Sequence, residues 1–391
     1  YSERQKPDDS VNLLLHSENT EPIYTSVIRN DKSTKPNVAD VKINCQENCV
    51  SSADKAGNEL DEGYFDPREV LTEDDIRAIF SHIYSSRSKK TTSYKFALIN
   101  AILCNLANVD KTLSLSFDTV FYYFAQSYWN IIVHSGIRPA RKDHIASIYR
   151  IIDELSHKLD INEPLPFESL SENNCRTVVK KVMSDAKKYV IGALFGDSMH
   201  TFYSFSKKDE VITLNPVVYQ YLLKNKTLIE KVNFLEWTKY LLDNELDEES
   251  PKNVIDTLTL STKRYNLSSF QKILYDELNE HCCFYCKKIL KDSEVHVDHF
   301  IPWSFIKDDQ LWNFVISCSH CNESKNDRLA PEKELQDLID RNKDIIEMQQ
   351  KNMLSHKDVS LINTDEYDSS TLKRFYHIAR MNGFELWHKK N

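Results

Sequence analysis

From residue 67 onward, apolar residues recur mainly at helical spacing. Thr72-Glu73-Asp74-Asp75 precedes Ile76, Ile79, Phe80, Ile83 and Tyr84, which predicts a helix capped at Thr72 with one apolar face. Ser93–Leu106 is apolar nearly all round, the mark of a buried central helix. Phe117, Val120, Phe121, Phe124, Tyr128 and Ile131 form a stripe that Gly136 ends. At helical spacing such aromatic density reads as core packing rather than base stacking. Helices follow over 142–159 and 168–190. The second carries Arg176, Lys180, Lys181, Lys187 and Lys188, which read as a solvated face ahead of a phosphate-facing patch, and is broken by Gly192 and Gly196. The period then changes. Thr201–Phe205 and Val211–Leu214 read as a β-hairpin across Lys207-Lys208-Asp209. Pro216 opens another helix, and Leu228–Leu242 is amphipathic with Trp237 inward. Ser268–Glu280, Pro331–Met353 and Ser369–Gly383 are the last helices, with Phe384 and Trp387 pinning the tail. The fold class is α+β, mainly helical.

The segments without periodicity divide the chain. Residues 1–66 are polar and read as a disordered arm, in which Cys45 and Cys49 are incidental. Asp243–Pro251 is an acidic linker. The expected organisation is an arm (1–66), a helical module with a small β-hairpin (67–250) and a C-terminal domain (251–391) whose core is 281–330. No run of eighteen apolar residues is present, so no membrane span is expected. The first residues lack a basic region followed by an apolar one, so no signal peptide is expected.

The core of the last part, Cys283–Arg328, is unlike the rest. Cys283-Phe-Tyr-Cys286 and Cys318-Ser-His-Cys321 have the spacing of two knuckles around one four-thiolate zinc ion. Cys282 fits the register less well, and His320 between two ligands reads as solvent-facing. Between the knuckles, Val295–His299 alternates as a short strand, with His296 and Asp298 on one face and Val295, Val297 and His299 on the other. Pro302 stops it. Lys307-Asp308-Asp309-Gln310 is a turn, and Asn313–Ser317 is a second strand. His320–Leu329 suits a helix ending before Pro331.

This order, with Asp298-His299, Asn313, Asn322 and Lys325 in register, resembles the HNH endonuclease superfamily, whose core is a ββα-metal finger. The stretch Asp298-His-Phe-Ile-Pro-Trp-Ser-Phe-Ile-Lys-Asp-Asp309 is similar to the HNH domain of RNA-guided CRISPR effector nucleases. The resemblance covers about 50 residues, and the third letter of the name is Asn322 rather than His. More weakly, Ser93-Tyr-Lys-Phe-Ala-Leu98 resembles the opening of helical modules that precede HNH domains in stand-alone bacterial nucleases.

The resemblance implies a ββα-metal nuclease that hydrolyses phosphodiester bonds with a divalent cation. The residue types suit that chemistry. Imidazole is the side chain able to take a proton from water at neutral pH, which makes His299 the expected general base. Asp298 and the Asn322 amide offer hard oxygens for Mg²⁺ or Mn²⁺. By resemblance, Asn313 orients the His-bearing loop. Lys325 is open between a phosphate contact and a surface lysine. His296 reads as structural.

Nucleic acid, with DNA favoured, is the expected substrate. A net charge of −9 opposes non-specific binding to it. Binding must come from local basic patches or from a protein partner that recruits or activates the chain. The family's settings include defence against phage and restriction. Nine cysteines without a disulfide ladder suit a reducing cytoplasm. Two rival readings stay open. One is a zinc-stabilised binding module without turnover. The other is a ribonuclease, because nothing between 283 and 328 reads a 2′-hydroxyl.

Overall fold

The computed structural model describes residues 60–68, 70–85, 88, 92–137, 147–244, 267–354, 361–364 and 367–388. The expected arm up to residue 59, the Cys45–Cys49 pair and most of the acidic linker lie outside the described residues. The fold is α+β and mainly helical.

Thr72 starts α1 (Glu73–Tyr84) with a reciprocal capping box to Asp75, and Ile76, Ile79, Phe80 and Ile83 are buried. Helix α2 (Tyr94–Cys104) is buried at nearly every position, as its unbroken apolar sequence requires. It packs on α3 (Phe117–Trp129), which continues through a wider π turn over Asn130–His134. Gly136 follows at φ +64°, the left-handed conformation that lets the chain leave the helix. Helices α4 (Ser147–Lys158), α5 (Glu172–Asp197) and α6 (Pro216–Asn244) complete this part.

One expectation fails here. Gly192 and Gly196 do not break α5, which runs through both to Asp197. Its buried face of Val190, Ile191, Leu194 and Phe195 packs into the core, and that packing outweighs the roughly 1 kcal/mol helix penalty of each glycine. Pro216 opens α6 as expected, and the amphipathic stretch from Leu228, with Trp237 buried, is the second half of the same helix.

The predicted hairpin is present as β3 (Tyr203–Ser206) and β4 (Val211–Leu214). It belongs to a four-stranded antiparallel sheet of order β1-β3-β4-β2. The outer strands, β1 (Glu62–Gly63) and β2 (Ser114–Ser116), are too short to leave an alternating pattern. Gly63 allows β1 to approach, since a Cβ there would lie 2.5 Å from the Phe205 ring.

In the C-terminal part, β5 (Val295–His299) pairs antiparallel with β6 (Phe314–Cys318). The register runs from Val295 opposite Cys318 to His299 opposite Phe314. A short helix α8 (Trp303–Ile306) precedes the turn, as another short helix, α7 (Ser268–Lys272), precedes the first knuckle. Helix α9 (Ser319–Lys325) follows β6 at once and stops at Asn326, which takes a positive φ. Helices α10 (Leu335–Gln350) and α11 (Ser369–Met381) back the hairpin. The Asn342 amide donates to the Trp312 carbonyl, and the Tyr376 hydroxyl to that of Ala330. Phe384 packs on Phe305, and the Trp387 indole packs on Tyr285 and donates to Ser324.

The helical and C-terminal parts touch through named contacts. Asn382 donates to the Leu223 carbonyl and accepts from the Thr227 N–H. Lys111 donates to the Thr364 carbonyl, and Gln310 donates to Asn108.

Candidate active site

The hairpin has two chemically distinct ends. At the Cys318 end, the Sγ atoms of Cys283, Cys286, Cys318 and Cys321 all lie within 4.8 Å of one another. Local backbone builds this cluster. The Cys283 carbonyl accepts the Lys287 N–H, and Lys287 takes φ +61° to close the first knuckle. The Phe284 N–H donates to the Ile316 carbonyl, which fastens that knuckle to β6. Cys318 ends β6, and Cys321 sits in the first turn of α9.

The Cys286 and Cys318 sulfurs are 3.8 Å apart. Four thiolates at tetrahedral zinc distance would stand about 3.8 Å from one another. Burial pushes the Cys283 and Cys321 thiols up, and the neighbouring thiols push Cys321 further. Thiols packed this closely need a cation to ionise together, which is what a zinc site supplies. The donor set therefore fits zinc. Cys282 is exposed and lies outside the cluster, and His320 is exposed.

At the other end are Asp298 and His299, four register pairs away or about 13 Å along the strand. His299 is 3% exposed. Its ring packs edge-on against Phe314 at 4.6 Å, and its Nε2 lies 2.9 Å from Asp309 Oδ1. A carboxylate only accepts, so Nε2 carries a proton, and in the neutral form of the ring the lone pair is then on Nδ1.

Asn313, fully buried, clamps the chain just beyond His299. Its side chain accepts from the Ile301 N–H and donates to the Ile301 carbonyl, both at 2.9 Å. Asn313, the first residue of the expected strand, lies instead in the 3₁₀ turn just before β6.

Asp298 is buried, whereas His296 on the same strand face is exposed. The Tyr285 hydroxyl donates to Asp298 Oδ2 at 2.6 Å. Burial, with the Asp298 carboxylate beside it, holds Tyr285 well above the usual phenol range, so it remains a donor. Lys325 does not occupy either position left open by its sequence. It is fully buried, its ammonium 3.1 Å from Asp298 Oδ2 and 2.6 Å from the His299 carbonyl oxygen. A lysine on the last turn of a seven-residue helix faces inward here because Asp298 and the strand end supply its partners.

Removing that ammonium orphans a buried carboxylate. Lys325→Met is expected to cost about 3–5 kcal/mol in chemical denaturation. Asn322 lies one helical turn before Lys325, is half-buried, and its side-chain amide has no hydrogen-bond partner among the described residues.

Two members of this site were not singled out from sequence. Tyr285 lies inside the first knuckle, and Asp309 is the second Asp of what reads as a turn. The signal for Asp309 was present in the Lys-Asp-Asp run, but turn chemistry accounted for it fully.

Comparison with curated proteins and with solved structures found no match. Comparison with protein families found one at the segment just described: residues 283–331 match the family described as HNH endonuclease.

Proposed function

We propose that this protein is a metal-dependent endonuclease that hydrolyses phosphodiester bonds of DNA in antiphage defence or restriction, with a protein partner that recruits it to its substrate. Its scattered cysteines suit a reducing cytoplasm. Among the described residues, no helix is long and apolar enough to cross a membrane. The observation that carries the reading is the coincidence, on one hairpin of the matched segment, of a closed four-thiol cluster with the Asp298–His299 pair.

Each residue then has a task. The four cysteines would supply all four ligands of a zinc ion and leave it no open position, so that the ion would be structural. His299, with its lone pair on Nδ1, takes a proton from the attacking water. The water oxygen bonds to phosphorus as the bond to the 3′ oxygen breaks. Asp298 and Asn322 offer one carboxylate and one amide oxygen, a hard donor set that fits Mg²⁺ or Mn²⁺ with water and substrate completing the shell. The bound cation would neutralise charge developing on the phosphate and the leaving oxygen. Asn313 holds the backbone after His299. Lys325 pairs with the Asp298 carboxylate and holds it in place without touching substrate.

The metal assignment has a readout apart from activity. In Lys325→Met the orphaned Asp298 gains a cation only from solution. Mg²⁺ is therefore expected to raise the thermal midpoint of the variant more than that of the unchanged protein.

The reading is tested by incubating the zinc-loaded full chain with plasmid DNA, single-stranded DNA and RNA, with Mg²⁺ or Mn²⁺ and with chelator. Metal-dependent cutting of DNA is expected. Cutting of RNA alone would make it a ribonuclease, and no cutting on any substrate would favour a binding module.

A further inference from the structure

One loop ties His299 to the helical part of the chain. In Lys307–Gln310, the Asp309 carboxylate receives the His299 Nε2–H at 2.9 Å, and both side chains are nine-tenths buried or more. The loop has anchors outside the hairpin. The Tyr123 hydroxyl, on α3, donates to the Lys307 carbonyl at 2.8 Å. The Gln310 amide donates to Asn108 Oδ1 at 3.0 Å and to Asp308 Oδ2 at 2.8 Å. Asp308 Oδ1 in turn accepts the Asp309 N–H at 2.8 Å.

Lys307 has φ +64°, a conformation that a lysine keeps only where its surroundings hold it. Asp309 Oδ2 is buried and has no hydrogen-bond partner among the described residues. The aim of this carboxylate is therefore set by His299 and by the loop that carries it.

We infer that Asp309 is a positioning residue for His299, and that Asn108 and Tyr123 hold it in place from the helical part of the chain. The inference rests on His299 being the general base. Asp309 fixes the proton on Nε2 and turns Nδ1 toward the water. Asn108 and Tyr123 touch neither substrate nor His299. They decide whether the loop keeps its shape, so a disturbance of the helical part reaches the base through Lys307–Gln310.

The test uses the full chain with Mg²⁺ on one DNA substrate. It compares the unchanged protein with Asp309→Asn, the double variant Asn108→Ala/Tyr123→Phe, and His299→Ala. Asp309→Asn is expected to lower kcat by about 10²-fold or more while KM stays within about twofold, as loss of an orienting carboxylate does elsewhere. The double variant is expected to lower kcat about tenfold with zinc content unchanged.

A second arm needs no activity. Diethylpyrocarbonate modification of each histidine is followed by mass spectrometry in the absence of DNA. In the unchanged protein His299 should react slowly and the exposed His296 and His320 quickly. In both the Asp309 variant and the double variant the His299 rate should rise about fivefold or more, with His296 and His320 unaltered. Unchanged kcat and unchanged His299 labelling in Asp309→Asn would overturn the role of Asp309. A change there but none in the double variant would overturn the coupling to the helical part. Cleavage that survives His299→Ala overturns the assignment of His299 as general base, no cleavage by the unchanged protein overturns the nuclease reading, and in either case the labelling rates still decide whether the loop holds His299.

Discussion

Replacing His299 is expected to lower metal-dependent cleavage by about 10²–10⁴-fold, the range for removal of a general base. The effect should appear in kcat, because the ring acts on the water and not on substrate binding. Truncation to Ala has a second consequence. The ring is 3% exposed, packs on Phe314 and satisfies Asp309. Its removal leaves a cavity and an unpaired carboxylate, and should also destabilise the protein by about 2–4 kcal/mol. His299→Gln is the better comparison, since it retains bulk and an N–H for Asp309 but has no basic nitrogen. It should lose as much activity with a smaller stability loss. Zinc content should be unchanged in both, because the thiol cluster lies at the far end of the hairpin. Wild-type turnover in His299→Gln, measured at saturating DNA, would remove His299 from the mechanism.

The second large effect belongs to the cysteines. Cys318→Ser is expected to lose bound zinc, measured by atomic absorption, together with several kcal/mol of stability. Structural zinc supplies roughly 10–16 kcal/mol of binding free energy in small zinc folds, against a net stability of about 5–15 kcal/mol for a whole domain. Cys318 also closes the strand that faces Val295 and leads into α9, so loss of the ion should loosen both strands and the helix carrying Asn322 and Lys325. Activity should fall as a result of that loosening. The order of metal loss separates the two ions. After brief chelation that strips only the labile cation, Mg²⁺ alone should restore cutting. After denaturing chelation, Mg²⁺ without zinc should not. Full stability and activity in a zinc-free Cys318→Ser protein would show that the thiols hold no structural ion.

What the chain reveals without its fold is local. Two Cys-x-x-Cys pairs, a five-residue alternating strand, Asp298 beside His299, and the capped, amphipathic helices are all set by residues within a few positions of one another. Backbone geometry over such spans follows directly from residue type. The Thr72 capping box and the Cys283–Cys286 knuckle arise this way.

Tertiary structure decided the rest, for two physical reasons. Packing can outweigh propensity, as it does where α5 runs through Gly192 and Gly196. Side-chain partners far apart in sequence also leave no periodic trace. Lys325 meets Asp298 across 27 positions, and Gln310 meets Asn108 across 202. Asp309 meets His299 across only ten, yet a turn breaks any pattern between them. From sequence, Lys325 is one more charged residue on a short helix and Asp309 one more turn acid. Burial beside the Asp298–His299 pair turns the first into a counter-charge and the second into the partner of the imidazole, because a buried polar group has few partners to choose from.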